Sequence, residues 1–206
     1  MKKSILVFAA MFAIAYNGTA QNRFHLGVKA GANLSKVYDA QGEVFNADSK
    51  IGFAVGGFMS IPLGAVLGIQ PEVLFSQKGF KSTGKILGNS YTLTRTTNYL
   101  DIPIFLAINA SKYVSVLAGP QFSYLLSRKD EFGNNLTSVE QVQAFKNDDI
   151  RKNMLGVAGG LDINVHPIVI GARVGWDLMK NNGDGTKTTP RYKNVWAQVS
   201  VGFRIF

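Results

Sequence analysis

The sequence predicts an all-β protein, an eight-stranded antiparallel up-and-down barrel. Three observations lead there: a two-residue alternation of apolar and polar side chains from Phe24 onward, an even number of alternating segments, and connections that are long and tight by turns.

The first segment carries Phe24, Leu26, Val28, Ala30, Ala32 and Leu34 on one face and His25, Gly27, Lys29, Gly31, Asn33 and Ser35 on the other. A helix would scatter both sets around its circumference. The second apolar row is Ile51, Phe53, Val55, Gly57, Met59 and Ile61, and the third is Leu67, Ile69, Pro71, Val73 and Phe75, opposite Gln70, Glu72 and Ser76. Leu100, Ile102, Ile104 and Leu106 form the fourth, opposite Asp101. The fifth runs Val114, Val116, Ala118, Pro120, Phe122 and Tyr124, opposite Ser115, Gly119, Gln121 and Ser123. Leu155, Val157, Leu161, Ile163 and Val165 make the sixth, and Ile168, Ile170, Ala172, Val174, Trp176 and Leu178 the seventh. The last row is Val195, Ala197, Val199, Val201, Phe203 and Ile205, opposite Trp196, Gln198, Ser200, Gly202 and Arg204.

Connections rich in Gly, Asn, Asp, Lys and Thr fall at 35–50, 79–98, 128–152 and 179–193, and tight turns at 62–65, 109–112 and 166–167. That rhythm fits a barrel with one rim in the medium and the other in the periplasm, which places both termini and the tight turns on the periplasmic side. Val139, Val142 and Phe145, at helical spacing, predict a short helix in the longest connection.

Residues 1–20 read as a cleaved signal peptide and 21–206 as the barrel domain. Lys2 and Lys3 give a positive start, Ile5 to Tyr16 an apolar run too short to span a bilayer, and Gly18-Thr19-Ala20 small residues before a cut at Gln21. A buried N-terminal helix is the competing reading, but no amphipathic period or cap follows the run. With no cysteine at the cut, a lipoprotein anchor is not expected. The chain is 46% hydrophobic, yet no later apolar stretch is long enough for a spanning helix, so a membrane protein of this composition must cross with strands. The absence of cysteine excludes disulfides and thiolate metal sites. A formal charge of +9 raises the question of nucleic acid, but two of those charges leave with the signal, and the rest form no basic helix or interleaved aromatic motif.

Alternation does not say which face is inside, because a soluble small-ligand-binding barrel of the lipocalin type also has eight strands. The composition of the second face decides. Gly27, Gly31, Gly52, Ala54, Gly56, Gly156, Gly160, Gly171 and Gly175 would cover a watery exterior poorly but suit a narrow lumen that side chains must fill. The charged members of that face, Lys29, Glu72, Lys78, Asp101, Asp162, Arg173, Asp177 and Arg204, come in both signs and are expected to pair as a lumen network. Aromatic residues gather toward strand ends, Tyr99, Tyr124, Trp176, Tyr192 and Trp196 at one and Phe24, Phe105, Tyr113, Phe203 and Phe206 at the other. They are read as the two girdles of a transmembrane barrel.

Gly68-Ile69-Gln70-Pro71-Glu72-Val73-Leu74-Phe75-Ser76-Gln77-Lys78-Gly79, with Tyr99-Leu100-Asp101-Ile102-Pro103, Ala118-Gly119-Pro120 and the opening Gly27 to Ser35, resembles the PorT-type outer-membrane β-barrel family of Bacteroidota. The resemblance covers the mature chain. It implies a bacterial outer-membrane location and assembly by the barrel assembly machinery, with Phe206 as the C-terminal signal that machinery reads. Counted back from Phe206, the alternation falls on Arg204 and Gly202 rather than on Ile205 and Phe203, a departure that points to a bulge in the last strand or an imperfect signal.

Chemistry for catalysis is sparse. The only histidines, His25 and His166, fall at the periplasmic end without a carboxylate partner, where they are read as solvated rather than as ligands of a shared metal. Glu72 and Asp101 lie on inward faces of adjacent strands, and pairing with lysine or arginine accounts for them better than acid–base work. Asn181-Asn182-Gly183-Asp184-Gly185 lacks the closing glutamate of a calcium loop. The pairs Gly56-Gly57 and Gly159-Gly160 open no helix and so cradle no phosphate. No enzyme, cofactor or metal is expected. Lys81, Lys85, Arg95, Lys180, Lys187, Arg191 and Lys193 lie in the long connections and are candidate contacts for lipopolysaccharide phosphates, alongside the reading of plain solvated loops. The expected function is a non-enzymatic barrel, structural or binding an envelope protein through its outer loops; an accessory part of a secretion system is the alternative, with a soluble ligand-binding barrel third.

Overall fold

The computed structural model describes residues 24–39, 47–86, 89–133, 151–181 and 192–205. They form eight strands: β1 (His25–Asp39), β2 (Ala47–Pro62), β3 (Leu67–Ile86), β4 (Asn89–Asn109), β5 (Val114–Gly133), β6 (Asn153–Val165), β7 (Ile168–Asp177) and β8 (Tyr192–Arg204). Each pairs antiparallel with the next, and β1 pairs with β8 from Gly27↔Arg204 to Asp39↔Tyr192, so the barrel is closed. β8 shows no register shift against β1 or β7, and no bulge interrupts it before Arg204; Phe206 lies outside the described residues.

Strand parity sorts the side chains as the alternation requires. Val28, Leu34, Val55, Val73, Ile104, Val116, Leu161, Ile170, Val174 and Val201 are exposed on the outer face, while Lys29, Asn33, Glu72, Asp101, Asp162 and Arg173 are buried inside. The soluble ligand-binding barrel is thereby overturned, since it would turn the apolar rows inward. The outward row of β7 and the residue after it, from Ile168 to Leu178, carries no charge. At roughly 3.3 Å per residue and a tilt of about 35–45°, it rises ~25 Å, the height of a bilayer's hydrocarbon band.

The strands differ in length for a reason visible in their side chains. β7 has 10 residues, whereas β3, β4 and β5 have 20, 21 and 20, and a tilted strand needs only about 9–11 residues to cross. The surplus turns polar on its outer face: Lys81 on β3, Thr92, Thr94, Thr96 and Asn98 on β4, Ser127, Lys129 and Glu131 on β5. Three of the eight strands therefore stand well above the rest of the barrel wall. This corrects two of the expected connections. Segment 79–98 is mostly paired strand, β3 running to Ile86 and β4 starting at Asn89, and 128–152 begins as strand up to Gly133. The helix expected around Val139, Val142 and Phe145 lies outside the described residues.

The aromatic girdles are corrected as well. Tyr124, Trp176, Tyr113 and Phe203 face outward, but Tyr99, Phe105 and Trp196 are buried in the lumen. Parity is the cause: Tyr99 and Phe105 are even steps from Asp101, and Trp196 from Gln198. Trp196 fits because its neighbour in the sheet is Gly175, where a Cβ would lie 2.4 Å from the indole. Gly79 meets a backbone demand instead: its φ of 152° is unfavourable for other residues, and a Cβ would stand 2.0 Å from the Arg95 carbonyl.

If Val116, Val157 and Val174, 40–43% exposed on the outer face, meet lipid, replacing any one with Arg is expected to cost about 2–4 kcal/mol by placing an unpaired charge in hydrocarbon. Folding of purified variants into lipid vesicles, followed by heat-dependent gel mobility and denaturant titration, measures this. Ser123→Asn should be tolerated better, and the reverse ranking would mean that the outer face does not meet lipid.

Candidate functional site

The lumen concentrates the polar chemistry of the chain. Among the described residues, Lys29, Lys78, Arg95 and Arg173 are almost fully buried, and so are Glu72, Asp101, Asp162 and Asp177, four charges of each sign. The interior is therefore close to neutral, as a low-dielectric space between two rims requires.

Four of the expected network residues meet in one cluster. Lys29 on β1 reaches both Glu72 oxygens at 2.8 Å, and Arg173 on β7 donates to Asp162 Oδ1 at 2.7 Å while its Nη2 lies 3.5 Å from Glu72 Oε1. Gln70 Nε2 joins the two acids, donating to Glu72 Oε1 at 2.9 Å and Asp162 Oδ2 at 3.0 Å. β1, β3, β6 and β7 are thus tied across the lumen by side chains alone. Phe105 and Phe58 wall the cluster, their rings 5.3 Å from the Arg173 guanidinium and 5.6 Å from the Lys29 ammonium.

Toward the long-connection rim, Lys78 pairs with Asp101 at 2.8 Å and sits between the rings of Tyr99 and Trp196, 5.2 and 5.1 Å away. Asp177 accepts from Asn194 Nδ2 at 2.5 Å. Asn33 links three strands, donating to Ser76 Oγ at 2.9 Å and accepting from Gln198 at 2.8 Å. At the opposite rim, Arg204 bonds the Asn164 side chain and, among the described residues, meets no carboxylate. Glu72 and Asp101, weighed as a carboxylate couple, are each held by a different lysine.

Alternation did not reveal one further layer. Arg95 is 1% exposed and donates from Nε and Nη2 to the two oxygens of Asp130 at 2.8 and 2.9 Å, and from Nη1 to the Tyr192 hydroxyl at 2.8 Å. Arg128 Nε adds a contact to Asp130 at 3.5 Å. Arg95 is therefore removed from the candidate lipopolysaccharide contacts: it stands an even number of residues from Asp101 on one strand and points inward. Asp130 turns inward because β5 carries an extra residue. Asn98 pairs with Ser127 but Tyr99 with Leu125, which leaves Leu126 unmatched and inverts the parity beyond it. Of the other rim cations, Lys81 is exposed and Lys180 and Lys193 are half-buried. The Lys85 side chain, Lys187 and Arg191 lie outside the described residues.

His166 is exposed and His25 half-buried at the short-turn end. Among the described residues no group of three or more His, Asp or Glu is arranged to hold a metal ion.

A closed eight-stranded sheet, apolar outside and ion-paired inside, is a barrel built to cross a membrane. The family described as outer membrane protein beta-barrel domain matches residues 19–181, and the chain belongs to it; its location is the outer membrane. No curated protein matches the chain in sequence. Similar solved structures include Ail, the attachment invasion locus protein of Yersinia pestis, with 13% identity over 87% of this chain and 97% of that one and a TM-score of 0.48. Neisserial surface protein A shows 17% identity over 86% and 96%, with a TM-score of 0.44. OprG from Pseudomonas aeruginosa shows 10% over 90% and 97%, with a TM-score of 0.43.

The cluster around Glu72 yields a stability test. Glu72→Gln leaves Lys29 without its closest counter-ion in the buried interior, so a loss of about 3–5 kcal/mol is expected in urea titration of the folded barrel. Adding Lys29→Gln should recover part of it, giving a coupling of at least about 1 kcal/mol in a double-mutant cycle. Strict additivity would show that the pair contributes nothing as a pair.

Proposed function

We propose that this chain is a non-conducting, non-enzymatic barrel, exported by a signal peptide ending at Ala20, whose long connections bind an envelope partner outside the cell. The observation that carries this reading is the lumen itself: paired charges and aromatic rings reach across it at several levels, as in the Lys29, Glu72, Arg173 and Asp162 cluster and the Arg95 and Asp130 pair. Charged side chains held by partners in the middle of the lumen support an interior with no aqueous path. The tall wall of β3, β4 and β5, polar outside, supports a surface raised above the bilayer for contact.

The motifs from Gly68 to Gly79 and Tyr99 to Pro103 support placing the chain with the PorT-type barrels of Bacteroidota, which carries with it the possibility of a role beside a secretion system. Lys81, Lys180 and Lys193 at the long-connection rim support contact with lipopolysaccharide phosphates.

Crosslinking in intact cells from positions in 40–46 and 134–150, with identification of the captured molecules, tests the reading. An envelope protein recovered from both segments supports it, secretion components recovered there would favour the accessory role, and no capture from either would overturn partner binding.

Planar-bilayer recordings are expected to show no steady single-channel current. A sizeable, persistent conductance would overturn the filled lumen as a seal.

A further inference from the structure

At the short-turn end, below the Glu72 cluster, the lumen opens into a cavity of about 520 Å³ with a one-sided chemistry. Arg204, Lys112 and His25 line it together with hydroxyl and amide side chains, and among the described residues no aspartate or glutamate does. We propose that this cavity is a binding site for a small oxyanion, a phosphate or carboxylate group, with the Arg204 guanidinium as its anchor.

Arg204 differs from the other inward guanidiniums. Arg95 and Arg173 each hold an aspartate, whereas among the described residues Arg204 donates only to the neutral Asn164 side chain; its buried Nε, like that of Arg173, has no hydrogen-bond partner. A half-buried guanidinium is stabilised most by a planar acceptor that takes two of its N–H groups, which is what a carboxylate or phosphate supplies. The nearest acids do not fill that place. Glu72 and Asp162 are held from above by Lys29 and Arg173, and Gln70, which lines the cavity, ties them to each other through its amide nitrogen.

Two other wall groups are disposed to donate. Ser111 Oγ already accepts from the backbone N–H groups of Tyr113 and Val114 at 3.2 and 3.1 Å, so its own hydrogen is available to a ligand. Lys112, exposed at the mouth and 4.8 Å from the Tyr113 ring centre, adds a second positive charge. The volume lies within the range of small-molecule sites, so the oxyanion can be one group of a larger metabolite rather than a free ion.

The test uses the isotope-labelled full-length mature barrel folded in detergent micelles, titrated at constant ionic strength with inorganic phosphate and, separately, with succinate while amide resonances are followed. Saturable shifts confined to the 62–65 and 109–115 turns and to Asn164 and Arg204 are expected. The tighter of the two probes tells whether phosphate or carboxylate is the preferred group. Arg204→Gln should weaken binding about tenfold or more, the scale of one charge-assisted hydrogen bond. Lys112→Gln, an exposed turn position that leaves folding unaffected, should weaken it several-fold, and Lys129→Gln at the far rim should leave it unchanged. Shifts that rise linearly with either anion without saturating, or that persist equally in Lys112→Gln and Arg204→Gln, would overturn the site. If Arg204→Gln fails to fold by gel mobility, the contrast between Lys112→Gln and Lys129→Gln decides alone.

Discussion

A peptide N–H or C=O that faces hydrocarbon without a partner costs several kcal/mol, and eight strands expose many such groups unless the sheet has no edge. The pairing of β1 with β8, from Gly27↔Arg204 to Asp39↔Tyr192, removes that edge, and the other features follow from it. Closing so few strands fixes a lumen only wide enough for side chains. What lies outside must then be apolar, and what lies inside must satisfy itself without water.

The interior solves the second problem by pairing charges across the lumen. Lys29 with Glu72 joins β1 to β3, Lys78 with Asp101 joins β3 to β4, Arg173 with Asp162 joins β7 to β6, and Arg95 with Asp130 joins β4 to β5. An ion pair of this kind is weak evidence for stability relative to a packed apolar core, since desolvation offsets most of the attraction. Its effect is on specificity. Sliding any one of these strands by one residue would turn its charged partner toward lipid and strand the opposite charge, so the pairs hold the register that the backbone ladder alone would leave free to slip.

Most of this was legible in the sequence because a strand has a period of two and a barrel wall has two contrasting solvents. Parity alone assigns Glu72, Asp101, Asp162 and Arg173 to one face and Val157, Val174 and Val199 to the other. Two things escaped it. The polar threonines and Asn98 in 92–98 read as loop because nothing in their composition distinguishes a strand standing in water from a connection, although Arg95 keeps step with Asp101. The unmatched Leu126 inverted the parity of β5, so Arg128 and Asp130 could be placed only once the pairing of Asn98 with Ser127 was known. The tyrosine and tryptophan residues misled for a related reason: nearness to a strand end is a property of position along the chain, while membership of a girdle depends on face. Tyr99 and Trp196 satisfy the first condition and fail the second.

The same solvent contrast limits where function can reside. On the outer band, lipid accepts almost any apolar side chain and rejects nearly everything else, so those residues carry little information about a partner. In the middle of the lumen each charged group is engaged by a neighbour, and replacing one unbalances the rest. The freedom to vary chemistry without breaking the barrel therefore lies at the two rims, where water can satisfy what the protein does not. At one rim the wall of β3, β4 and β5 rises beyond the apolar band with Lys81, Lys129 and Glu131 outward. At the other, Arg204 stands over a polar cavity with no carboxylate partner among the described residues. Recognition by this barrel belongs to these two places because only there can a ligand or partner reach such side chains without breaking the packed interior.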